Sequence, residues 1–391
     1  MIHAVGRLLV VLGLLAGTTP AARADVAAVA PAADPWVLGY WVGYQADLMP
    51  VDEIPWSALT HIAVGPMVPR NNGTIDSSMF IDPDTATTLA RQIAQAAIAH
   101  GVTPILMIGG GGAEKSFFNA AAKRRAKLVK NLVKLGQSLG FQGFDLDYEG
   151  NFDKPPNQRM FKRLAAALRR ASPGSVLTFP AITVTTTFPH DRAIGFYAAV
   201  AGSLDRIFIQ TYGMSGPYEG WVSWHSSPLL AADGADVCAA QAACKPTSVD
   251  FNVDRFLGAG IPAAKLGLGV GFYGTCWTGV TGPGQSVAGA TVPASDNDMS
   301  YTNVAALYRP FMAEMFDASA QAAYLSSATP IGPQGCTFVS YENADSIAAK
   351  GAYAKAKGLA GTIVWTINQA HRAADDPDPD ALLGRTFAAF R

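Results

Sequence analysis

The sequence is short of charge, of cysteine and of long apolar runs. Only 15 % of its 391 residues are charged, and 29 basic side chains nearly balance 30 acidic ones, for a formal net charge of −1. A chain so balanced carries no basic footprint for nucleic acid. It has four cysteines, without a CxxC pair or a His-rich spacing beside them, which offers zinc no framework. No GxSxG segment sits between a strand pattern and a following helix pattern as a nucleophile elbow, which argues against an esterase. A phosphate loop is missing too. The run Gly109–Gly112 is followed by Glu114, where such a loop needs glycine just before Lys115-Ser116. Beyond the N-terminus no stretch reads as transmembrane.

The N-terminus itself is distinctive. Arg7 precedes an apolar run from Leu8 to Ala16, and Ala22-Arg23-Ala24 forms a small-x-small site before Asp25. The run is too short to span a bilayer comfortably. Residues 1–24 therefore read as a secretory signal peptide, and the protein is expected to be secreted or periplasmic, with no membrane association after cleavage. The cysteines suit export. Four allow three pairings, of which the local one, 238–244 with 276–336, is the expectation.

Short β-rich apolar runs alternate with helical patterns. The runs are 36–44, 60–67, 103–109, 141–148, 174–182, 205–213, 266–274 and 360–367. The clearest helical stretches are 84–100, 115–139, 156–171 and 343–357. Eight strands with intervening helices predict an α/β fold, a parallel (β/α)8 TIM barrel. Near-continuous apolarity suits strands covered on both faces. The segment 275–336 breaks the rhythm. It is rich in Gly, Pro, Ser and Thr, has a helix-like stretch near 303–315, and reads as an insertion between the seventh and eighth strands of a barrel spanning 25–391. Residues 214–248 form another long loop. A barrel of this size with a buried core can be a monomer.

The fourth run holds the chemistry. Residues 143–150 read GFDLDYEG. On a strand, side chains two apart share a face. Asp145, Asp147 and Glu149 therefore line one side, while Phe144, Leu146 and Tyr148 line the other, where a barrel packs its helices. Three carboxylates facing a barrel interior repel one another and lose hydration, so at least one should have a raised pKa. Glu149 comes last, at the C-terminal end where such barrels hold active sites, and a protonated glutamate there is a natural general acid. A calcium loop is the rival reading of D-x-D-x-E-G, but its twelfth position is Pro156 rather than Glu. Gly109–Gly112, at the end of the third strand, reads as a place where backbone closely approaches a ligand.

These residues resemble glycoside hydrolase family 18, the chitinase-like family, whose fourth-strand signature is DGxDxDxE. Gly39-Tyr40-Trp41, Met107-Ile108-Gly109-Gly110, Gln210-Thr211-Tyr212, KLGLGVGFYG at 265–274, SYENADSIAAKGAYAKAKG at 340–358 and Val364-Trp365 are similar to further family segments, in the right order. The chain departs from the pattern at Gln142, Met107, Gln210 and Gly213; the last two border the reacting sugar in the family.

The resemblance implies a secreted, retaining hydrolase of β-1,4-linked N-acetylglucosamine polymers such as chitin. Glu149 would be the proton donor, Asp147 would orient the substrate acetamido group, Tyr212 would hydrogen-bond its oxygen, and Asp145 would share a proton with Asp147. Trp365 corresponds to the floor under the reacting sugar, with Tyr40, Tyr273 and Gln210 around it. Trp41, Trp221, Trp224, Trp277 and His225 are candidates either for cleft walls or for packing under loops. No metal or organic cofactor is implied. An endo-β-N-acetylglucosaminidase or a peptidoglycan hydrolase would use the same site, and a non-catalytic chitin-binding lectin is the alternative from another class.

Overall fold

The computed structural model describes residues 34–185, 190–231, 247–372 and 376–391. The leader over 1–24 and the 238–244 cysteine pairing lie outside the described residues. Eight strands form the central layer: β1 (Trp36–Val42), β2 (His61–Pro69), β3 (Thr103–Gly109), β4 (Gly143–Asp147), β5 (Val176–Ala181), β6 (Arg206–Ile209), β7 (Leu266–Gly271) and β8 (Gly361–Trp365). Each pairs in parallel with the next, and β1 pairs with both β2 and β8, which closes the barrel. The chain is thus a (β/α)8 TIM barrel.

The strands are almost wholly apolar because both faces are covered. Leu38, Tyr40, Ala63, Ile105, Met107, Phe208 and Ile363 fill the barrel interior as one buried cluster. Outward-facing residues such as Phe144 and Leu146 belong to the larger shell between strands and helices. Tyr148, just past β4, packs tilted against Phe117 and edge-on against Phe152 in that shell.

The helices that follow the early strands are α1 (Pro83–Ala99), α2 (Glu114–Lys123), α3 (Arg125–Leu139) and α4 (Pro155–Ala171). The Asp82 side chain caps α1 by accepting the Thr85 backbone N–H at 2.9 Å, and Pro83 occupies the first helical position. The expected helix 115–139 is two helices, broken at Arg124. Lys123, Arg124, Arg125 and Lys127 crowd four cations into that turn, and like charges this close disfavour a continuous helix. Further helices α5 (Asp191–Val200), α6 (Val249–Gly258), α7 (Ala344–Ala356) and α8 (Ala381–Phe390) complete the outer layer among the described residues.

Between β7 and β8 the chain builds a separate five-stranded antiparallel sheet from Tyr273–Thr278, Thr291–Ser300, Ala313–Asp317, Ala322–Ile331 and Cys336–Tyr341. The helix-like stretch expected near 303–315 is a series of short helical turns, Tyr301–Asn303, Val304–Tyr308 and Arg309–Phe311, and its last residues belong to the strand Ala313–Asp317. Cys276 and Cys336 are joined by a disulfide across neighbouring strands of the sheet. No helix among the described residues is long and apolar enough to cross a membrane.

Candidate active site

The site is assembled at the C-terminal ends of the strands. Strand register sets its base: Met107 lies beside Asp145 and Gly109 beside Asp147 across the β3–β4 pair, while Thr178 lies beside Asp145 across β4–β5. Asp145 is fully buried. It accepts hydrogen bonds from Thr178 Oγ1 at 2.5 Å and from Tyr40 Oη at 2.9 Å. Burial pushes its pKa up to about 6, against the downward pull of those two donors.

Asp147, one step up, is 3 % exposed, and its Oδ1 has no hydrogen-bond partner among the described residues. Burial first, then the charges of Glu149, Asp145 and Glu114, push its carboxyl well above the usual range. Native structures rarely leave a buried carboxylate oxygen unpartnered unless a ligand or proton will meet it. Glu149 follows at the mouth, half-buried. Burial and then the Glu114 charge raise its pKa, while the Gln210 amide works the other way. The row therefore holds protons toward neutral pH, and its members titrate together.

The glycine turn after β3 is required by crowding. Gly109 has φ +108°, and a Cβ there would come within 2.2 Å of the Asp147 carbonyl oxygen. Its neighbour Gly110 donates its N–H to that same oxygen at 2.9 Å. The turn brings Glu114 close enough to bias the acidic row, and Glu114 is itself held by the Gly112 N–H at 3.0 Å. In the sequence Glu114 registers only as the residue that spoils a phosphate loop.

A cleft of about 350 Å³ opens over this row. Asp147, Glu149, Tyr212, Tyr40, Gln210, Tyr273 and Trp365 all line it, and Asp145 lies beneath as the layer below. Tyr40 and Trp365 rings lie 5.4 Å apart, and Tyr212 and Tyr273 meet edge-on at 6.1 Å. Burial and then the surrounding tyrosine and carboxylates push the Tyr212 hydroxyl far up, so it stays a donor. Gly213 has φ +63°, left-handed backbone that glycine adopts without the cost a Cβ brings.

Tyr44, Phe80 and Asp296 also line the cleft, and nothing in the sequence pattern singles them out. They arrive from the loops after β1 and β2 and from the inserted sheet. Conversely, Trp41, Trp224 and Trp277 are buried packing residues rather than cleft walls, with Trp41 Nε1 donating to the Met49 carbonyl at 3.0 Å. Trp221 is half-buried and packs edge-on against Tyr218, 5.0 Å away. His225 is fully buried and pairs with Asp317 at 3.0 Å, which removes it as a sugar contact. Residues 136–140 spell Gly-Gln-Ser-Leu-Gly, but Ser138 lies in α3 with its hydroxyl donating to the Leu135 carbonyl at 2.9 Å, so it forms no nucleophile elbow.

Comparison with known proteins gives a consistent answer. The chain is 29 % identical to Chitinase A1 of Niallia circulans over 293 residues, which span 68 % of this chain and 40 % of that protein. It is 26 % identical to a class V chitinase of Arabidopsis thaliana over 357 residues, 86 % of this chain and 85 % of the relative. Its fold matches the crystal structure of a Cycas revoluta chitinase in complex with (GlcNAc)3, with a TM-score of 0.72 at 23 % identity, over 91 % of this chain and all of the other. The family model described as glycosyl hydrolases family 18 matches residues 37–370, nearly the whole barrel, and the chain belongs to that family.

Proposed function

We propose that the protein hydrolyses β-1,4-linked N-acetylglucosamine polymers, chitin and its oligosaccharides, with retention of anomeric configuration, and that it is exported by cleavage after residue 24. The observation that carries this reading is Asp147: a buried carboxylate whose Oδ1 awaits a partner in a cleft beside a second, half-buried acid. Family membership and a relative with (GlcNAc)3 bound support the same substrate class.

Ordinary retaining glycosidases use two carboxyls about 5–5.5 Å apart, one of them a nucleophile, whereas this family uses the substrate's own acetamido group. In the proposed sequence Glu149 protonates the glycosidic oxygen as the C–O bond breaks. The acetamido oxygen of the same sugar attacks the anomeric carbon and closes an oxazolinium ring. Asp147 accepts the acetamido N–H and stabilises the positive charge as it forms. Tyr212 donates its hydroxyl proton to the acetamido oxygen in a hydrogen bond. Asp145, held by Tyr40 and Thr178, shares a proton with Asp147, so that Asp147 does not carry an uncompensated buried charge between steps. Water then attacks the anomeric carbon, Glu149 takes its proton, and the ring opens to the retained product. Trp365, which lines the cleft, offers the apolar face on which a sugar ring stacks.

The test is cleavage of chitotetraose by the mature chain with the product anomer read by proton NMR before mutarotation. The β-anomer appearing first supports the scheme. Initial α-product would refute the acetamido route. Cleavage only of peptidoglycan or of glycoprotein glycans would move the substrate to those classes, and binding without any cleavage would make the chain a lectin.

A further inference from the structure

The strand Thr291–Ser300 of the inserted sheet loses its register between Ser295 and Ser300. In that bulge Asp296 adopts φ +53°, left-handed backbone that a residue with a Cβ takes only when its surroundings hold it there. The distortion turns its carboxylate into the cleft wall, half-buried, beside Trp365, Tyr44 and Tyr273. Asp296 Oδ2 accepts from the Trp365 indole N–H at 3.4 Å, and Oδ1 accepts from Gln369 Nε2 at 2.5 Å. The next residue, Asn297, accepts from Gln45 Nε2. Gln45 in turn accepts from the Thr366 hydroxyl at 2.8 Å, and Asn368 donates to the Gln45 carbonyl at 3.0 Å. The bulge therefore grips both the turn that carries Trp365 and the loop after β1. Burial raises the Asp296 pKa, and its two donors oppose that rise.

We propose that Asp296 is a positioning residue for sugar binding: from a bulge in the inserted sheet it fixes the Trp365 indole in the orientation on which the glycan stacks, so that the sheet sets affinity through this one contact. The inference rests on the reading of Trp365 as the floor of the cleft. An indole on a strand end is free to rotate about its two side-chain torsions. A carboxylate accepting from its ring nitrogen and tied at its other oxygen removes that freedom without touching the apolar face. Because Asp296 acts through Trp365, its removal should weaken ground-state binding of the glycan more than it slows the bond-breaking step.

A double-mutant cycle tests this. Asp296→Ala, Trp365→Phe and the double variant are compared with wild type for KM and kcat on chitotetraose. Asp296→Ala is expected to raise KM about ten-fold, the worth of about one hydrogen bond, with kcat within about two-fold. Asp296→Asn, which retains one acceptor, is expected to fall between it and wild type. In the Trp365→Phe background Asp296→Ala should add nothing. The spectral difference between wild type and Trp365→Phe isolates the Trp365 emission, which should shift and broaden in Asp296→Ala. Additive losses in the cycle would make Asp296 a direct sugar contact and overturn the proposal. So would unchanged KM and unchanged Trp365 emission in Asp296→Ala. Failure of the wild type to cleave chitotetraose would instead strike the functional reading; the emission arm would still decide whether Asp296 holds the indole.

Discussion

Replacing Tyr40 by Phe removes one hydroxyl from the most buried part of the acidic row and leaves the ring, including its contact with Trp365, in place. Asp145 then keeps Thr178 as donor and loses the 2.9 Å bond from Tyr40 to its Oδ2. A hydrogen bond to a charged group contributes about 1.5–3 kcal/mol. One pKa unit corresponds to roughly 1.4 kcal/mol, so the Asp145 pKa, already pushed up to about 6, should climb by about one to two units. The sign follows from which form the bond favours. Tyr40 donates to the carboxylate and holds the pKa down; without it the proton binds at higher pH. The Asp145–Asp147 pair then takes up its second proton earlier as pH falls, and Asp147 loses the charge that stabilises the oxazolinium ion. The acid limb of kcat/KM against pH, measured on chitotetraose, should move toward neutral by about one unit or more, with a modest fall in thermal stability at neutral pH from the unpartnered carboxylate oxygen. An acid limb that overlays wild type would refute the coupling of Tyr40 and Asp145 to the reaction.

Two further perturbations probe charge burial. Asp147→Asn should make the protein more stable at pH 7 while abolishing activity. The carboxyl's pKa is raised in the folded state, so its contribution is full below the unfolded pKa and is lost as pH rises through the folded value. Thermal unfolding should show the gain at neutral pH and none near about pH 3.5, below the unfolded Asp value; equal melting at pH 7 would count against a cost of burying this charge beside its acidic neighbours. Lys350 is fully buried, paired with buried Glu342, and donates at 2.8 Å to Ser227, which in turn bonds the Thr211 carbonyl next to Tyr212. Lys350→Met should cost about 3–5 kcal/mol by stranding Glu342, and the Lys350→Met/Glu342→Leu double variant should recover most of it. Denaturant unfolding would contradict this if the single and double variants were equally unstable.

Much of the barrel is legible because its strands obey a simple rule. Each is buried on both faces, so apolar runs such as 103–109 and 266–274 mark strands directly. The same rule makes Asp145, Asp147 and Glu149 conspicuous, since period two alone puts them on one face. The break at Arg124 is harder to see, because α2 and α3 share one helical periodicity across it. The rim of the cleft is not legible at all. Asp296 reaches Trp365 across 69 residues through a bulge in the inserted sheet. Phe80 is 64 % exposed with φ +61°, a loop conformation that no periodicity announces. Trp277 and His225 look like binding residues in sequence because they sit near loops; Trp277 is a strand residue of the inserted sheet packed against Phe338, and the same sheet covers His225, with Asp317, 92 residues away, as its partner.

The central claim is that Glu149 delivers the proton that breaks the glycosidic bond. The most direct measurement is product release from chitotetraose by wild type and Glu149→Gln, with binding of the same oligosaccharide followed in parallel. The account predicts binding within a few-fold of wild type and a rate lower by about 10²–10⁴, the usual worth of a positioned general acid. Cleavage by Glu149→Gln at the wild-type rate would contradict it.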